Sequence, residues 1–393
     1  MSNVLSRTQS PDSLKVRSTL AIKPPASGYA PPNAPLHDAV IGRLLEREES
    51  LSPLATKSSQ TKGRREPEQP SPVRTEFQRD RDRILHTKAF RRLKHKTQVF
   101  IAPVGDHYAT RLTHTLEVSQ IARTVARALN LNEDLAEAIS LGHDMGHTPF
   151  GHIGEDELGK LHPAGYRHNE QSLRLVEQIE NEGQGLNLTW EVRQGILMHS
   201  KPQGDFLDRN LVEGLTLEGQ IVRISDAVAY LNHDLGDAFR AGVLVEDDVP
   251  TEVTDVLGSS HSRRVDSMVV DIIESSWAAT GLGANGGQQP TITMSDRCRL
   301  ALNSLRGFMF ERVYNPQDQS PYGQTARQVM RLLYAHFDSN RSGIPSEYNA
   351  RSKSGDVAVV DFISGMTDHY ALRVAEGLQP GIASPFDKRW TAI

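Results

Sequence analysis

The segment THTLEVSQIARTVARAL (residues 113–129) decides the fold class, because its apolar side chains recur with the period of an α-helix. One face carries a histidine in line with apolar residues, at spacings of four, three, four and four: His114, Val118, Ile121, Val125 and Leu129. Such a face packs against a protein core. The segment therefore predicts a helix whose histidine points towards the interior.

Similar patterns surround this segment. Asn132 is a predicted N-cap, and the stripe of Leu135, Ile139 and His143 that follows has a spacing of four residues. A helix predicted from Leu217 to about Leu235 has one apolar face and one ordered polar face, which carries Val222, Asp226, Tyr230, His233 and Asp237. Helical patterns return at residues 299–310, 325–337 and 357–375, and strand-like alternation is scarce. The predicted fold class is mainly α.

We divide the chain into regions by composition. Residues 1–35, rich in Ser and Pro, are a predicted disordered tail, and residues 36–76 are a predicted N-terminal arm. Residues 77–245 form the predicted helical core. Residues 246–393 are a predicted C-terminal helical region that completes the site and forms an oligomer interface, and the segment GLGANGGQQP (281–290) is a predicted loop or boundary.

Composition limits the chemistry. The 393 residues carry a formal net charge of -5, which disfavours binding of nucleic acid through overall charge. Cys298 is the single cysteine, so a metal site must use His, Asp or Glu. No apolar run approaches the roughly 20 residues that span a bilayer, and no secretory signal is expected. We predict a cytoplasmic protein without membrane contact.

A second segment, LGHDMGHTPFGHIGE (141–155), carries the candidate chemistry. It places three imidazoles beside a carboxylate, and this crowding is costly when buried without function. The His-Asp pair alone is weak evidence, because it occurs at His37-Asp38, His143-Asp144 and His233-Asp234. Mixed His and Asp ligands suit Mn, Fe, Co, Zn or Mg and leave coordination positions open. His114 and Asp226, each in register with a packed stripe, are the best candidates for the remaining ligands.

The order of His, His-Asp and a remote Asp is that of the HD superfamily, and the flanking sequence makes the resemblance closer. Five blocks resemble the deoxyguanosinetriphosphate triphosphohydrolase-like family: residues 74–100, 108–123, 143–155, 223–238 and 361–371. The resemblance runs from about Leu44 to the carboxyl terminus. It implies an HD-domain helical bundle with an additional C-terminal helical region.

The resemblance also implies residue roles. The implied metal ligands are His114, His143, Asp144 and Asp226. The implied catalytic residues are His147, His152, Glu155 and His168. The implied substrate-binding residues are Arg111 at the triphosphate and Gln98, Tyr230 and Asp234 around the sugar. Where a related animal enzyme has a phosphate-binding lysine, this chain has Ala227, so other basic residues must contact the triphosphate.

The implied reaction is hydrolysis of a deoxynucleoside triphosphate to the deoxynucleoside and inorganic triphosphate, with water attacking the α-phosphorus and His152, oriented by Glu155, moving a proton. The implied cofactor is a divalent metal ion, Mn or Mg first, with Fe, Co or Zn as alternatives. The resemblance further implies a homo-oligomer, a tetramer or hexamer, with a nucleotide activator.

Several alternatives stay open at this stage. The chain could be another HD nucleotidase or phosphodiesterase, or a nucleotide-sensing or single-stranded nucleic-acid-binding protein with a vestigial site. A basic cluster is either a solvated face paired with carboxylates or a binder of triphosphate or single-stranded nucleic acid: Arg79, Arg81, Arg83, Lys88, Arg91, Arg92, Lys94 and Lys96. His199 and His233 are either supporting core residues or catalytic. Asp237 and Asp368 are expected to be a helix-face partner and a helix cap.

Overall fold

The described part of the chain, residues 34–101, 107–200, 209–282, 290–352 and 354–386 of a computed structural model, folds into helices. The predicted mainly α class is confirmed. Within these residues the β pairing is an isolated bridge between Thr97 and Thr110. The helices of the first part are α1 (Ala34–Glu49), α2 (Glu76–Leu85), α3 (Lys88–Arg92), α4 (Arg111–Ala128), α5 (Glu133–Gly142), α6 (Gly151–Leu161), α7 (His168–Arg174), α8 (Trp190–Met198) and α9 (Leu217–Arg240).

Local signals in the sequence set the start of the central helices. At the start of α4, the Thr110 hydroxyl accepts from the backbone N of Thr113 at 3.4 Å, and the Thr113 hydroxyl accepts from the backbone N of Thr110 at 2.9 Å. The Asn132 side chain caps α5, as predicted, by accepting from the backbone N of Asp134 at 3.1 Å. These N-caps fix where α4, which carries His114, and α5, which His143 follows, begin.

The core is built around α4, α5 and α9, which pack against one another. The stripe that was predicted to face the interior does so, since its members are at most 2% exposed: His114, Val118, Ile121, Val125 and Leu129. The polar face of α9 lies against α4, where His233 contacts His114. The two predicted amphipathic helices therefore enclose polar groups between their packed faces.

The C-terminal part consists of α10 (Thr251–Leu257), α11 (His261–Ser275), α12 (Asp296–Met309), α13 (Asn315–Gln319), α14 (Pro321–Ser339), α15 (Ser346–Arg351), α16 (Gly355–Ser364) and α17 (Asp368–Leu378). The helical pattern predicted over residues 357–375 corresponds to two helices, α16 and α17, with a break between them. Gly365 ends α16, and the Thr367 hydroxyl caps α17 by accepting from the backbone N of Tyr370 at 3.3 Å.

Helix α14 joins the C-terminal part to α6, against which it packs. Arg327 Nη1 donates to Asp156 Oδ2 at 2.6 Å and to Glu157 Oε2 at 3.1 Å. Arg331 Nε donates to Glu157 Oε1 at 2.6 Å. Because α6 carries His152 and Glu155, these ion pairs help to set the position of candidate catalytic side chains.

The segment between α1 and α2 is irregular and lies against the core. The backbone N of Thr56 donates to Glu218 Oε1 at 2.9 Å, and the Thr61 hydroxyl donates to Glu191 Oε2 at 2.6 Å. Residues 1–33 and 283–289 lie outside the described residues, so the predicted tail and most of the predicted loop at 281–290 stay predictions. No described helix is long and apolar enough to cross a membrane.

Candidate metal-dependent active site

The structure brings the predicted metal ligands together from three helices. His114 lies on α4, His143 and Asp144 follow α5, and Asp226 lies on α9. His114 Nε2 is 3.3 Å from Asp226 Oδ1 and 3.7 Å from Asp144 Oδ2, while His143 Nε2 is 3.4 Å from Asp144 Oδ1. These separations are close to those between neighbouring ligands of a single ion.

The donor set fits a divalent cation. His143 donates from Nδ1 to the carbonyl of Ser140 at 2.6 Å, which leaves the lone pair on Nε2. That buried Nε2 has no hydrogen-bond partner among the described residues. His114 Nδ1 lies 2.9 Å from His233 Nε2, so its Nε2 also faces the cluster. Metal-binding histidines typically have such a hydrogen-bond partner at the ring nitrogen that does not bind the metal.

Electrostatics keep the cluster in the protonation state that a metal needs. Burial lowers the pKa of His114, which favours its neutral form. Burial alone would raise the pKa of Asp144, but His143, His147 and Arg111 hold it well below its usual range. A neutral imidazole and an ionised carboxylate are the ligating forms.

His199 joins this cluster, although the sequence left its role open. Its Nδ1 donates to the carbonyl of Ile196 at 2.7 Å, and its Nε2 lies 4.0 Å from Asp144 Oδ1. Ligand atoms of His143, His199 and Asp226 lie within 4.8 Å of one another. The signal that pointed to His114 was also present here, because His199 continues the apolar stripe of Val192 and Ile196 on α8.

The predicted catalytic residues form a second group beside the first. Glu155 Oε1 accepts from the backbone N of His168 and contacts its Nδ1, both at 2.8 Å, while Glu155 Oε2 lies 3.2 Å from His152 Nδ1. His147 stacks on His168 with ring centroids 4.0 Å apart, and its Nε2 lies 3.3 Å from Asp144 Oδ1. Asp144 thus contacts both groups.

Glu155 and His168 form a buried ion pair. Burial opposes the charge on each, but Glu155 raises the pKa of His168, and His168 with His152 holds the pKa of Glu155 well below its usual range. For His147, burial together with Arg111 and His168 lowers the pKa well below the ordinary value. These shifts favour the protonated form of His168 and the neutral form of His147, whose rings are in face-to-face contact.

Arg111 and Gln98 line the same site. Arg111 is 1% exposed, and its Nη1 donates to Asp144 Oδ2 at 2.7 Å. Its Nε and Nη2, and the Oε1 of buried Gln98, have no hydrogen-bond partner among the described residues. Gly151, the first residue of α6, has a φ of +59°, and a Cβ there would lie 3.0 Å from Arg111 Nη2 and 3.2 Å from the carbonyl oxygen of Gln98. Glycine permits this close approach.

Asp234 and Tyr230 lie on α9, about two turns and one turn after Asp226. Asp234 is engaged within the protein, since its Oδ2 accepts from the Tyr314 hydroxyl at 2.8 Å and its Oδ1 lies 2.8 Å from His233 Nδ1. Tyr230 is half-buried nearby. Tyr314 comes from the π-helical turn Phe310–Tyr314 of the C-terminal part. No sequence signal points to Tyr314, because it lies outside the blocks that carry the resemblance.

Two buried charged residues tie the site to the C-terminal part. Lys96 Nζ donates to the carbonyls of His147 and, at 2.9 Å, Ser364. Asp368 Oδ1 accepts from the backbone N of Phe150 at 3.0 Å, and its Oδ2 accepts from the backbone N of Thr97 at 2.8 Å and from the Thr97 hydroxyl. The expectation that Asp368 is a helix cap is wrong, because Thr367 caps α17 and the Asp368 carboxylate faces the site.

Most of the predicted basic cluster is paired. Arg79 and Arg83 share Glu68, and Arg81 contacts Asp134 and Glu137. Arg92 donates to the carbonyl of Gly365 at 3.0 Å. Lys88, Arg91 and Lys94 are exposed. For the paired arginines the structure favours the interpretation as carboxylate partners. Asp237 is a helix-face partner, as expected, because it contacts Arg240 one turn later.

Comparisons with known proteins agree with this site. Residues 111–231 match the HD domain family, and residues 292–376 match the phosphohydrolase-associated domain family. A solved structure of a hypothetical protein from Aquifex aeolicus matches with a TM-score of 0.42 and 18% identity over 79% of this chain and 71% of that chain, which is too distant to establish a shared fold.

Two relatives are much closer in sequence, and each is named a deoxyguanosinetriphosphate triphosphohydrolase-like protein. The relative from Caldanaerobacter subterraneus subsp. tengcongensis is 51% identical, over 82% of this chain and 90% of the relative. The relative from Desulfatibacillum aliphaticivorans is 47% identical, over 82% of this chain and 92% of the relative. The chain therefore belongs to the deoxyguanosinetriphosphate triphosphohydrolase-like family and is an HD-type hydrolase.

Proposed function

We propose that the protein hydrolyses deoxynucleoside triphosphates to the deoxynucleoside and inorganic triphosphate. The observation that carries the proposal is the double contact of Asp144. This one carboxylate lies against His114 and His143 of the metal cluster and also against His147 and Arg111 on the substrate side. Asp144 thus places the proposed cation site next to the proposed phosphate site and the proposed proton-transfer residues. The substrate class is inferred from the names of the relatives.

The proposed metal ligands are His114, His143, Asp144 and Asp226, with His199 beside them. A divalent cation in this cluster supplies Lewis-acid neutralisation of charge on the phosphate. Mn or Mg is expected first, because carboxylate ligands suit both, and Fe, Co or Zn also suit the imidazoles.

Arg111 is the proposed phosphate-binding residue. Its Nη1 is held by Asp144, so the guanidinium is fixed before substrate arrives. Its Nε and Nη2 are buried donors without described partners, which is costly unless a ligand accepts from them. Two fixed donors match the geometry of phosphate oxygens. Arg111 therefore binds and orients the α-phosphate, a task that Ala227 cannot perform.

The proposed proton transfer uses His152. Water attacks the α-phosphorus, the bond to the 5′ oxygen of the sugar breaks, and a proton must reach that oxygen. The His152 side chain is 73% exposed and can reach substrate, while its Nδ1 is oriented by Glu155. The other ring nitrogen, Nε2, then delivers the proton. His168 holds Glu155 in place through its Nδ1, and His147 contacts Asp144.

Gln98, Tyr230 and Asp234 are the proposed sugar-side residues. The unpartnered Oε1 of Gln98 can accept from a sugar hydroxyl. Because Asp234 is held by Tyr314 and His233, we expect it to position this wall of the site. We further expect a cytoplasmic homo-oligomer, tetrameric or hexameric, with a nucleotide activator.

A product assay tests the proposal. The full chain is incubated with the four deoxynucleoside triphosphates, singly and mixed, in the presence of Mn or Mg, and products are separated by anion-exchange chromatography. We expect intact triphosphate and deoxynucleoside in equal amounts. Monophosphate with pyrophosphate would indicate a different HD nucleotidase. Absence of turnover in every combination would indicate a binding protein.

A further inference from the structure

A group of nitrogen and oxygen donors outside the proposed metal cluster has the features of a metal site. His147 Nδ1 lies 3.8 Å from Glu155 Oε2, and His152 Nδ1 lies 3.2 Å from the same oxygen. The ligand atoms of all three residues lie within 4.8 Å of one another. None of the three is among the proposed metal ligands.

The buried nitrogen of His147 is the independent sign that this group accepts a cation. Its Nε2 faces the Asp144 carboxylate at 3.3 Å, so the ring proton lies on Nε2 and the lone pair lies on Nδ1. His147 is 1% exposed, and Nδ1 has no hydrogen-bond partner among the described residues. This lone pair lies 3.8 Å from Glu155 Oε2, which also lies 2.9 Å from His168 Nδ1, and a cation between the lone pair and the carboxylate would relieve their repulsion.

The spacing suits a tetrahedral transition-metal ion. With Zn–N and Zn–O bonds of about 2.0–2.1 Å, two tetrahedral ligands lie about 3.3 Å apart. The separations of 3.2 and 3.8 Å lie on either side of this value. A small rotation of the exposed His152 side chain completes the set, and its ring proton moves to Nε2, which faces solvent. A fourth position stays open to water.

We propose that His147 Nδ1, His152 Nδ1 and Glu155 Oε2 form a second metal site, selective for Zn²⁺ and similar ions over Mg²⁺. Two imidazoles and one carboxylate favour borderline transition metals, whereas Mg²⁺ prefers oxygen ligands. An ion there occupies the residues assigned to proton transfer. Excess Zn²⁺ therefore inhibits the enzyme, and this inhibitory consequence rests on the proposed function, whereas the binding itself does not.

Zinc stoichiometry tests the site directly. Metal-free full-length protein is titrated with Zn²⁺ by calorimetry, and bound metal is measured by mass spectrometry after dialysis. We expect two Zn²⁺ per wild-type chain, and one in His152→Gln, whose remaining two ligands should bind Zn²⁺ more than about 100-fold more weakly. Asp226→Asn should instead lose the ion of the first cluster. The matched control is His95→Gln, which removes an exposed histidine outside the site and should still bind two.

Each outcome decides the proposal. One Zn²⁺ in the wild type, or two in His152→Gln, overturns the second site. Circular dichroism melting checks that His152→Gln is folded. Because the His152 side chain is mostly exposed, we expect the substitution to change the stability little. Inhibition by excess Zn²⁺ but not Mg²⁺ in the Mn-activated enzyme supports the regulatory part. If the protein hydrolyses no nucleotide, the proposed function fails and the stoichiometry still decides the site. If it hydrolyses nucleotide but binds one Zn²⁺, only the second site fails.

Discussion

Arg111 Nη1 donates to Asp144 Oδ2 at 2.7 Å, and both side chains are buried. The pair joins a predicted phosphate-binding residue to a predicted metal ligand. Because Asp144 holds Nη1 of Arg111, the remaining guanidinium nitrogens keep a fixed direction towards the proposed substrate side of the site. The contributions of the positive charge and of the planar donor geometry of Arg111 can be measured separately by substitution.

Arg111→Lys should keep the positive charge beside Asp144 but remove the planar set of donors. We expect kcat/KM to fall by about 100-fold, since two fixed donors to the phosphate are lost. Metal stoichiometry should be unchanged because Asp144 keeps a cationic neighbour. Steady-state kinetics and metal analysis measure both quantities. A kcat/KM within a few fold of the wild type would mean that Arg111 is structural only.

His152→Ala should abolish turnover by removing the proposed proton donor, a loss of about 100- to 10,000-fold in kcat. The first metal cluster does not include His152, so the protein should still bind one ion there. His95→Ala is the matched control, as it removes another exposed imidazole. Normal activity in the His152 variant would remove this residue from the mechanism.

Lys96 should make stability depend on pH. Burial lowers the pKa of Lys96 from 10.5 to about 7, so the folded protein disfavours the charged form. Because folding lowers the pKa of Lys96, its contribution to the free energy of unfolding is full above the pKa of the unfolded state. That contribution is lost as the pH falls through the pKa of the folded state.

Between about pH 7 and pH 9 the wild type should therefore gain about 2 kcal/mol of unfolding free energy relative to Lys96→Met. Urea unfolding of both proteins at the two pH values measures the difference. Parallel curves would show that Lys96 does not titrate in this range. The variant should also lose activity, because the carbonyl of His147 loses its buried donor.

The sequence was informative wherever a signal is local. Helical periodicity gave α4 and α9, and Asn132 gave the start of α5. The motif spacing, read with the resemblance, selected four proposed metal ligands that the structure brings together, because each lies on or directly after a periodic helix.

Contacts between distant segments could not be predicted. Tyr314 reaches Asp234 only because a π-helical turn of the C-terminal part lies over α9. The sequence places Lys96 in a basic cluster that is either a solvated face or a phosphate-binding face, and neither interpretation predicts its burial, which depends on the carbonyls of His147 and Ser364, remote in sequence. Asp368 was expected to cap a helix because an acidic residue at a helix start usually does so. Its contact with Phe150 depends on tertiary packing.

Hydrolysis in water labelled with oxygen-18 tests the proposed reaction most directly. Attack of water on the α-phosphorus should place the label in inorganic triphosphate and leave the released deoxynucleoside unlabelled, as mass spectrometry of the separated products would show. Label in the deoxynucleoside, or in pyrophosphate or monophosphate released in place of triphosphate, would contradict it.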